Sequence, residues 1–166
     1  MIVLITGAKG MLGQDLVKTF KGETLLLPDE VELDITNKER VLNYIALHKP
    51  QWIINAAALT NVDACEEADT KALAMDVHGR GPGYLAQGAE LLGAKMVQIS
   101  TDYVFKGDKQ GFYAPEDSVD PINAYGESKL LGEEEVLSHC SRAFVLRTAW
   151  LFGLGGNNFV KTILKL

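Results

Sequence analysis

The stretch Ile2-Val-Leu-Ile-Thr-Gly-Ala-Lys-Gly-Met-Leu-Gly13 decides the fold. A β-rich run over Ile2–Thr6 enters a turn with glycines at 7, 10 and 13, and helical periodicity follows over Met11–Lys21. A strand that ends in a glycine turn and opens a helix is the context in which such spacing points to a dinucleotide. Gly7 permits the tight turn, Gly10 removes a side chain where a pyrophosphate must approach, and Gly13 lets helix and strand pack closely. The helix N-terminus then faces the phosphate charge.

Outward from that stretch, strand and helix alternate. Thr24–Leu27 reads as a strand stopped by Pro28, and Val31–Leu33 as a short third strand ending at Asp34. Lys38–His48 reads as a helix ahead of Pro50, and Trp52–Ala56 as a buried strand. Thr70–Leu92 is a long helical stretch and Lys95–Ser100 another strand. Asn123 suits the N-cap of a helix over 123–138, Ala143–Arg147 is a further strand, and Asn158–Leu166 starts a helix. The pattern predicts an α/β fold: a Rossmann-type doubly wound parallel sheet with helices on both faces, as one domain over residues 1–166. One passage resists it. His78-Gly-Arg-Gly-Pro-Gly83 puts three glycines and a proline inside the long helical stretch, which predicts a kink or two helices meeting.

Composition narrows the function. The chain has 166 residues, 47% hydrophobic and 23% charged, ordinary values for a globular domain with a real core. A net charge of −6 with no basic stripe argues against nucleic acid. No apolar run approaches the ~18 residues of a membrane span. Met1 leads straight into a strand with no basic segment, so no signal peptide is expected. Cys65 and Cys140 have neither metal nor redox spacing, which predicts reduced thiols, no metal site and a cytoplasmic setting. The acidic runs Glu66-Glu67 and Glu133-Glu-Glu135 read as solvated helix faces.

Two further segments carry chemistry. Tyr125 and Lys129 stand four residues apart and share a helix face, where an ammonium would favour the phenolate and lower the tyrosine pKa. That pairing is common by chance. Thr101 adds weight, because it follows a buried strand at the carboxyl end of the sheet, where ligands of open α/β folds bind. Near the second strand, Asp29 in Pro28-Asp-Glu30 can accept from a ribose 2′-hydroxyl, with no Arg or Lys read beside it, which favours NADH over NADPH.

The glycine turn, Asn55-Ala-Ala-Ala58 with Thr60 and Val62-Asp63, Ser100-Thr-Asp-Tyr-Val-Phe105 and Tyr125-Gly-Glu-Ser-Lys129 together resemble the extended short-chain dehydrogenase/reductases. Leu33-Asp-Ile-Thr36, Arg147-Thr-Ala-Trp150 and Asn158-Phe-Val-Lys-Thr162 extend the likeness to the dTDP-4-dehydrorhamnose reductase group. The resemblance implies reduction of a dTDP-sugar 4-keto group, dTDP-4-dehydro-6-deoxy-L-mannose becoming dTDP-L-rhamnose, with NADH or NADPH as cofactor. It gives Thr101 the role of polarising the carbonyl, Tyr125 that of protonating the alkoxide, and Lys129 that of tuning Tyr125 and holding the nicotinamide ribose. Gly7, Lys9, Gly10, Met11 and Leu12 would hold the pyrophosphate, and Asp34 and Ile35 would lie by the adenine. Ala56, Ala57, Ala58 and Ser100 would line the rest of the cofactor. Thr60, Val62, Asp63, Thr101, Asp102, Tyr103 and Trp150 would border the sugar. The resemblance also implies a homodimer, and a carboxyl-terminal substrate region that this chain does not include. His78 stands where the family usually has Asn, and Leu59 where an aromatic is common. Two alternatives stay open on this reading: a nucleotide-sugar epimerase of the same family, and a non-catalytic regulator like the beta subunit of methionine adenosyltransferase. Asp102-Tyr103 lacks the acidic pair of a dehydratase.

Overall fold

Five β-prone runs set the frame of the computed structural model, which describes residues 1–156 and 158–164. They are β1 (Ile2–Thr6), β2 (Thr24–Leu26), β3 (Trp52–Asn55), β4 (Lys95–Thr101) and β5 (Ala143–Thr148), all paired in parallel in the order β2-β1-β3-β4-β5. Parallel neighbours need crossovers, and helices supply them: α1 (Met11–Thr19), α2 (Lys38–His48), α3 (Ala68–Ala74), α4 (Gly81–Leu92) and α5 (Ala124–His139), with α6 (Phe159–Ile163) after the last strand. This is the Rossmann-like α/β architecture expected, with helices on both faces of the sheet.

On one face Leu4, Ile53 and Met96 of the strands pack against Val41 and Ile45 of α2, Leu85, Ala86 and Ala89 of α4, and Val136 of α5. On the other, Leu16 and Val17 of α1 and Phe20 at its C-cap cover Val3, Ile5 and Ile54. Each fully buried Leu or Ile contributes roughly 1.5–3 kcal/mol, so these two layers fix which way every strand faces. Strand order reverses between β1 and β3, and a crevice opens there at the carboxyl ends of the strands. Among the described residues no helix is long and apolar enough to cross a membrane.

One element differs from expectation, and two others follow it with added detail. Val31–Leu33 is a turn instead of a strand, because the Asp29 carboxylate accepts from the Val31 and Glu32 amides at 3.1 Å and the Asp29 carbonyl from Leu33 at 2.8 Å. Those amides are therefore withdrawn from any sheet ladder, while Leu33 and Ile35 still enter the core. The kinked stretch resolves into α3 and α4 joined by a π-helical turn over Met75–Arg80, with Pro82 in the first turn of α4. The run from Asn158 does start a helix: the Asn158 side chain accepts from the Lys161 amide at 3.1 Å, while positions 165 and 166 of the expected helix lie outside the described residues.

Candidate active site

The crevice floor is a polar chain laid along the strand register. Thr6 Oγ1 donates to Asn55 Oδ1 at 2.5 Å, Asn55 Nδ2 to Gln98 Oε1 at 2.8 Å, and Gln98 Nε2 to the Ile99 carbonyl at 3.1 Å. All three side chains are buried and fully partnered, so the carboxyl ends of β1, β3 and β4 are held together. From that floor rises a cleft of about 1570 Å³. It exceeds the ~300–1,000 Å³ of a single small-molecule site, leaving room for two ligands end to end.

At one end lies the glycine turn. Gly7 has φ +69°, and a Cβ there would sit 2.6 Å from the Ala56 carbonyl oxygen. A Cβ on Gly13 would meet the Gly7 carbonyl oxygen at 2.2 Å, so α1 begins pressed against the turn. Gly10 caps α1 without a side chain, which leaves the first-turn N–H groups free to bind an anion. Gln14 Nε2 braces the turn through the Lys9 carbonyl at 3.0 Å. A dinucleotide pyrophosphate fits this lip: the cradle is bare backbone, and the donors point into the cleft.

Beside it the structure corrects the coenzyme reading. Lys9 Nζ lies 2.9 Å from Asp29 Oδ2, so a lysine stands where none was expected. The pairing holds the Asp29 carboxyl below its usual range, and two backbone amides occupy its other oxygen. Asp29 is thus not an idle acceptor for a ribose hydroxyl, and the argument for NADH falls. Asp34 is likewise engaged, accepting from the Thr36 amide and hydroxyl at 2.9 and 2.7 Å.

The other end holds Thr101, Tyr125 and Lys129 together along one wall of the cleft. Thr101 ends β4 and is buried; its Oγ1 donates to Asp102 Oδ1 at 3.1 Å and accepts from the Tyr103 amide at 3.2 Å. Tyr125 is the second residue of α5, whose start is fixed twice: Asn123 Oδ1 accepts from the Gly126 amide at 2.7 Å, and Glu66 Oε1 from the Ala124 amide at 2.6 Å. Its ring is flanked edge-on by Tyr103 at 5.7 Å and His78 at 5.4 Å. Burial raises the Tyr125 pKa, opposed by the Thr101 hydroxyl. This reverses the expectation of a phenol pulled down by Lys129. The ammonium is turned away to the Ile99 carbonyl at 2.6 Å, and burial lowers its own pKa to about 8 against the pull of Glu133.

The remaining expected residues divide. Met11, Leu12, Ile35, Ala56, Ala57, Ala58, Thr60, Val62, Asp102, Tyr103 and Trp150 line the cleft, Trp150 at its rim with φ +51°. Ser100 lines it by position, but its hydroxyl donates to Glu133 Oε1 at 2.5 Å and is unavailable to a ligand. Asp63 heads a 3₁₀ turn, exposed and outside the cleft. One buried group was missed, and a second, His78, was noted only as a departure from the family's Asn. Glu133, read as part of a solvated run, is 2% exposed and takes Arg147 Nε and Nη2 at 2.9 and 2.6 Å. Its spacing of four from Lys129 was the signal that it shares the inward face. His78 is fully buried against Leu59 and Ser128.

The whole chain, residues 1–166, matches the family described as the RmlD substrate binding domain. It is 46% identical to the dTDP-4-dehydrorhamnose reductase of Aggregatibacter actinomycetemcomitans, over 99% of this chain and 56% of the relative. Among solved structures it is similar to a dTDP-4-dehydrorhamnose reductase of Clostridium acetobutylicum, at 44% identity and a TM-score of 0.95 over 99% of this chain and 59% of that one. The dTDP-4-dehydrorhamnose reductase of Bacillus anthracis, solved in complex with NADP, matches at 41% identity and a TM-score of 0.93, over 99% and 58% respectively. The chain therefore spans a little over half the length of each.

Proposed function

We propose a reaction for this chain from one premise: it belongs to the family described as the RmlD substrate binding domain. The reaction is reduction of the 4-keto group of dTDP-4-dehydro-6-deoxy-L-mannose to dTDP-L-rhamnose, this chain contributing the dinucleotide-binding domain and the proton-transfer residues. The observation that carries it is the single cleft with the glycine cradle at one end and Thr101, Tyr125 and Lys129 at the other. The relatives named as reductases of this substrate support the choice of sugar.

A bound nicotinamide supplies the hydride. The chain's own groups do the rest. Burial keeps the Tyr125 phenol protonated, so it enters the reaction as a proton donor to the ketone oxygen. The Thr101 hydroxyl, now on Asp102, would turn to the same oxygen and steady the charge that develops there. Lys129, still an ammonium at neutral pH and held on the Ile99 carbonyl, would turn to a cofactor ribose and to the phenolate left on Tyr125. For the coenzyme, Lys9 beside Asp29 supports NADPH at least as well as NADH, as does the NADP bound by the Bacillus anthracis relative. The homodimer rests on resemblance alone.

Titration with NADH and with NADPH, followed by energy transfer from Trp52 and Trp150, tests the cleft. Saturable binding of NADPH at least as tight as that of NADH is expected, and a folded chain that binds neither overturns the reading. With the keto sugar added, Tyr125→Phe should leave coenzyme binding intact and slow reduction by a factor on the order of 10²–10⁴.

A further inference from the structure

Behind Tyr125 lies a histidine whose every bonding position is spoken for. The Leu59 amide donates to His78 Nε2 at 2.8 Å, so that nitrogen carries a lone pair. Ser128 Oγ has one hydrogen, and it goes to the Tyr125 carbonyl at 2.8 Å. The 2.9 Å contact between Ser128 Oγ and His78 Nδ1 is therefore made by an Nδ1–H. The imidazole is 0% exposed and sits on the π-helical turn, at a place where α5 comes so near that a Cβ on Gly132 would lie 2.0 Å from the His78 carbonyl oxygen. One side chain thus joins three pieces of backbone: the loop after β3 that carries Thr60 and Val62, the π turn, and the turn of α5 that carries Tyr125.

We propose that His78 is a positioning residue held as its neutral Nδ1–H tautomer, which ties the loop after β3 to Tyr125 and offers no path for protons. The path closes because Nε2 ends on a backbone amide, which does not surrender its hydrogen near neutral pH. The side chain that bears on its charge is Lys129 of α5, and the Tyr125 ring stands edge-on to it at 5.4 Å. The loss of solvent first and then the ammonium act against an imidazolium, in line with a pKa lowered to about 3. The inference rests on the proposed reaction only in giving Tyr125 the proton to deliver.

Nitrogen-15 spectra of the imidazoles in the intact chain test the tautomer. His78 should show a protonated Nδ1 and a bare Nε2, unchanged between about pH 5 and 8. A protonated Nε2, or a titration inside that range, overturns the proposal. Two variants test the positioning: His78→Gln keeps an acceptor for Leu59, and His78→Asn keeps a donor for Ser128. The Leu59 amide should exchange about tenfold faster in the Asn variant than in the Gln variant, the cost of one lost hydrogen bond. The Tyr125 phenol, read by difference from Tyr125→Phe, should titrate closer to its ordinary 10.0 in both histidine variants as water reaches its edge. Folded variants with an unmoved phenol would leave His78 a packing residue and sink the claim. Failure of the unaltered chain to bind coenzyme sinks the reductase reading instead, and leaves the tautomer and exchange results standing.

Discussion

Lys129 and Glu133 sit one helical turn apart on α5, both nearly inaccessible, and both are satisfied by groups of the strands beneath. Lys129 holds the Ile99 carbonyl of β4, and Glu133 holds Arg147 of β5. Burial lowers the Lys129 pKa from 10.5 to about 8. Between those values the unfolded chain carries more protons than the folded one, so stability should rise with pH through that window. Below about 8 the penalty is complete, on the order of 3 kcal/mol for a shift of this size. Urea unfolding at a series of alkaline pH values should show that rise, and Lys129→Met should lack its part of it. Glu133→Gln removes the group that pulls Lys129 upward, so the rise should begin at a lower pH. The same variant strands Arg147 and frees Ser100, a loss of about 2–4 kcal/mol at neutral pH. At this scale the convergence of Thr101, Tyr125 and Lys129 on one cleft was legible, because spacing put Tyr125 and Lys129 on one face and Thr101 at a strand end. Which partner each would choose was not legible. An i,i+4 spacing does not say that the ammonium will turn to a carbonyl of β4, nor that burial will then raise the phenol.

The elements owe their spacing to places where backbone meets backbone. The closest lies between α5 and the π turn at Gly132. Alanine there would ordinarily help a helix interior by up to ~1 kcal/mol, yet its Cβ has only the rigid His78 carbonyl to meet, so the two elements must part. Gly132→Ala should lose about 2–4 kcal/mol net, which in a chain of this size lowers the melting temperature by roughly 5–12 °C. Gly22→Ala is the control, since nothing lies within 4 Å of the added carbon; thermal melts followed by circular dichroism should leave it within about 1–2 °C of the parent. A Gly132→Ala chain as stable as the parent would mean that the contact is softer than the geometry says. Strands and the glycine turn could be read in advance because their signals are local: apolar runs, a period and three glycines. The kink at 78–83 was legible for the same reason. Its form as a π turn was not, because it depends on Gly79, Gly83 and Gly132 letting α5 approach. Val31–Leu33 misled because its alternation suits a strand, while the Asp29 side chain that claims its amides leaves no trace in periodicity.

Taken whole, the molecule covers its two sheet faces unequally. Three helices close one face across β1, β3 and β4, whereas α1 covers β1 and β3 on the other and stops short of β5. There Phe144 and Leu146 are 52% and 51% exposed, Phe144 stacking at 6.4 Å on Trp52 and standing in register with Val97. Beyond the strand end, Trp150 and Phe152 pack edge-on against Phe159, adding more exposed apolar surface at the cleft rim. An apolar patch of this kind lowers its free energy by meeting another apolar surface. The chain should therefore bind an environment-sensitive apolar dye in its folded state and sediment as a concentration-dependent mixture. Phe144→Lys with Leu146→Lys should suppress both effects. Because each side chain is already half in water, the double variant should lose only about 1–2 kcal/mol of stability. Its coenzyme affinity should not change: the two residues lie on the far side of β5 from Arg147 and outside the cleft. Dye binding and association that persist in the double variant would move the adhesive surface to the aromatic cluster at the rim. A fall in coenzyme affinity would show instead that the sheet face and the cleft are mechanically coupled through β5.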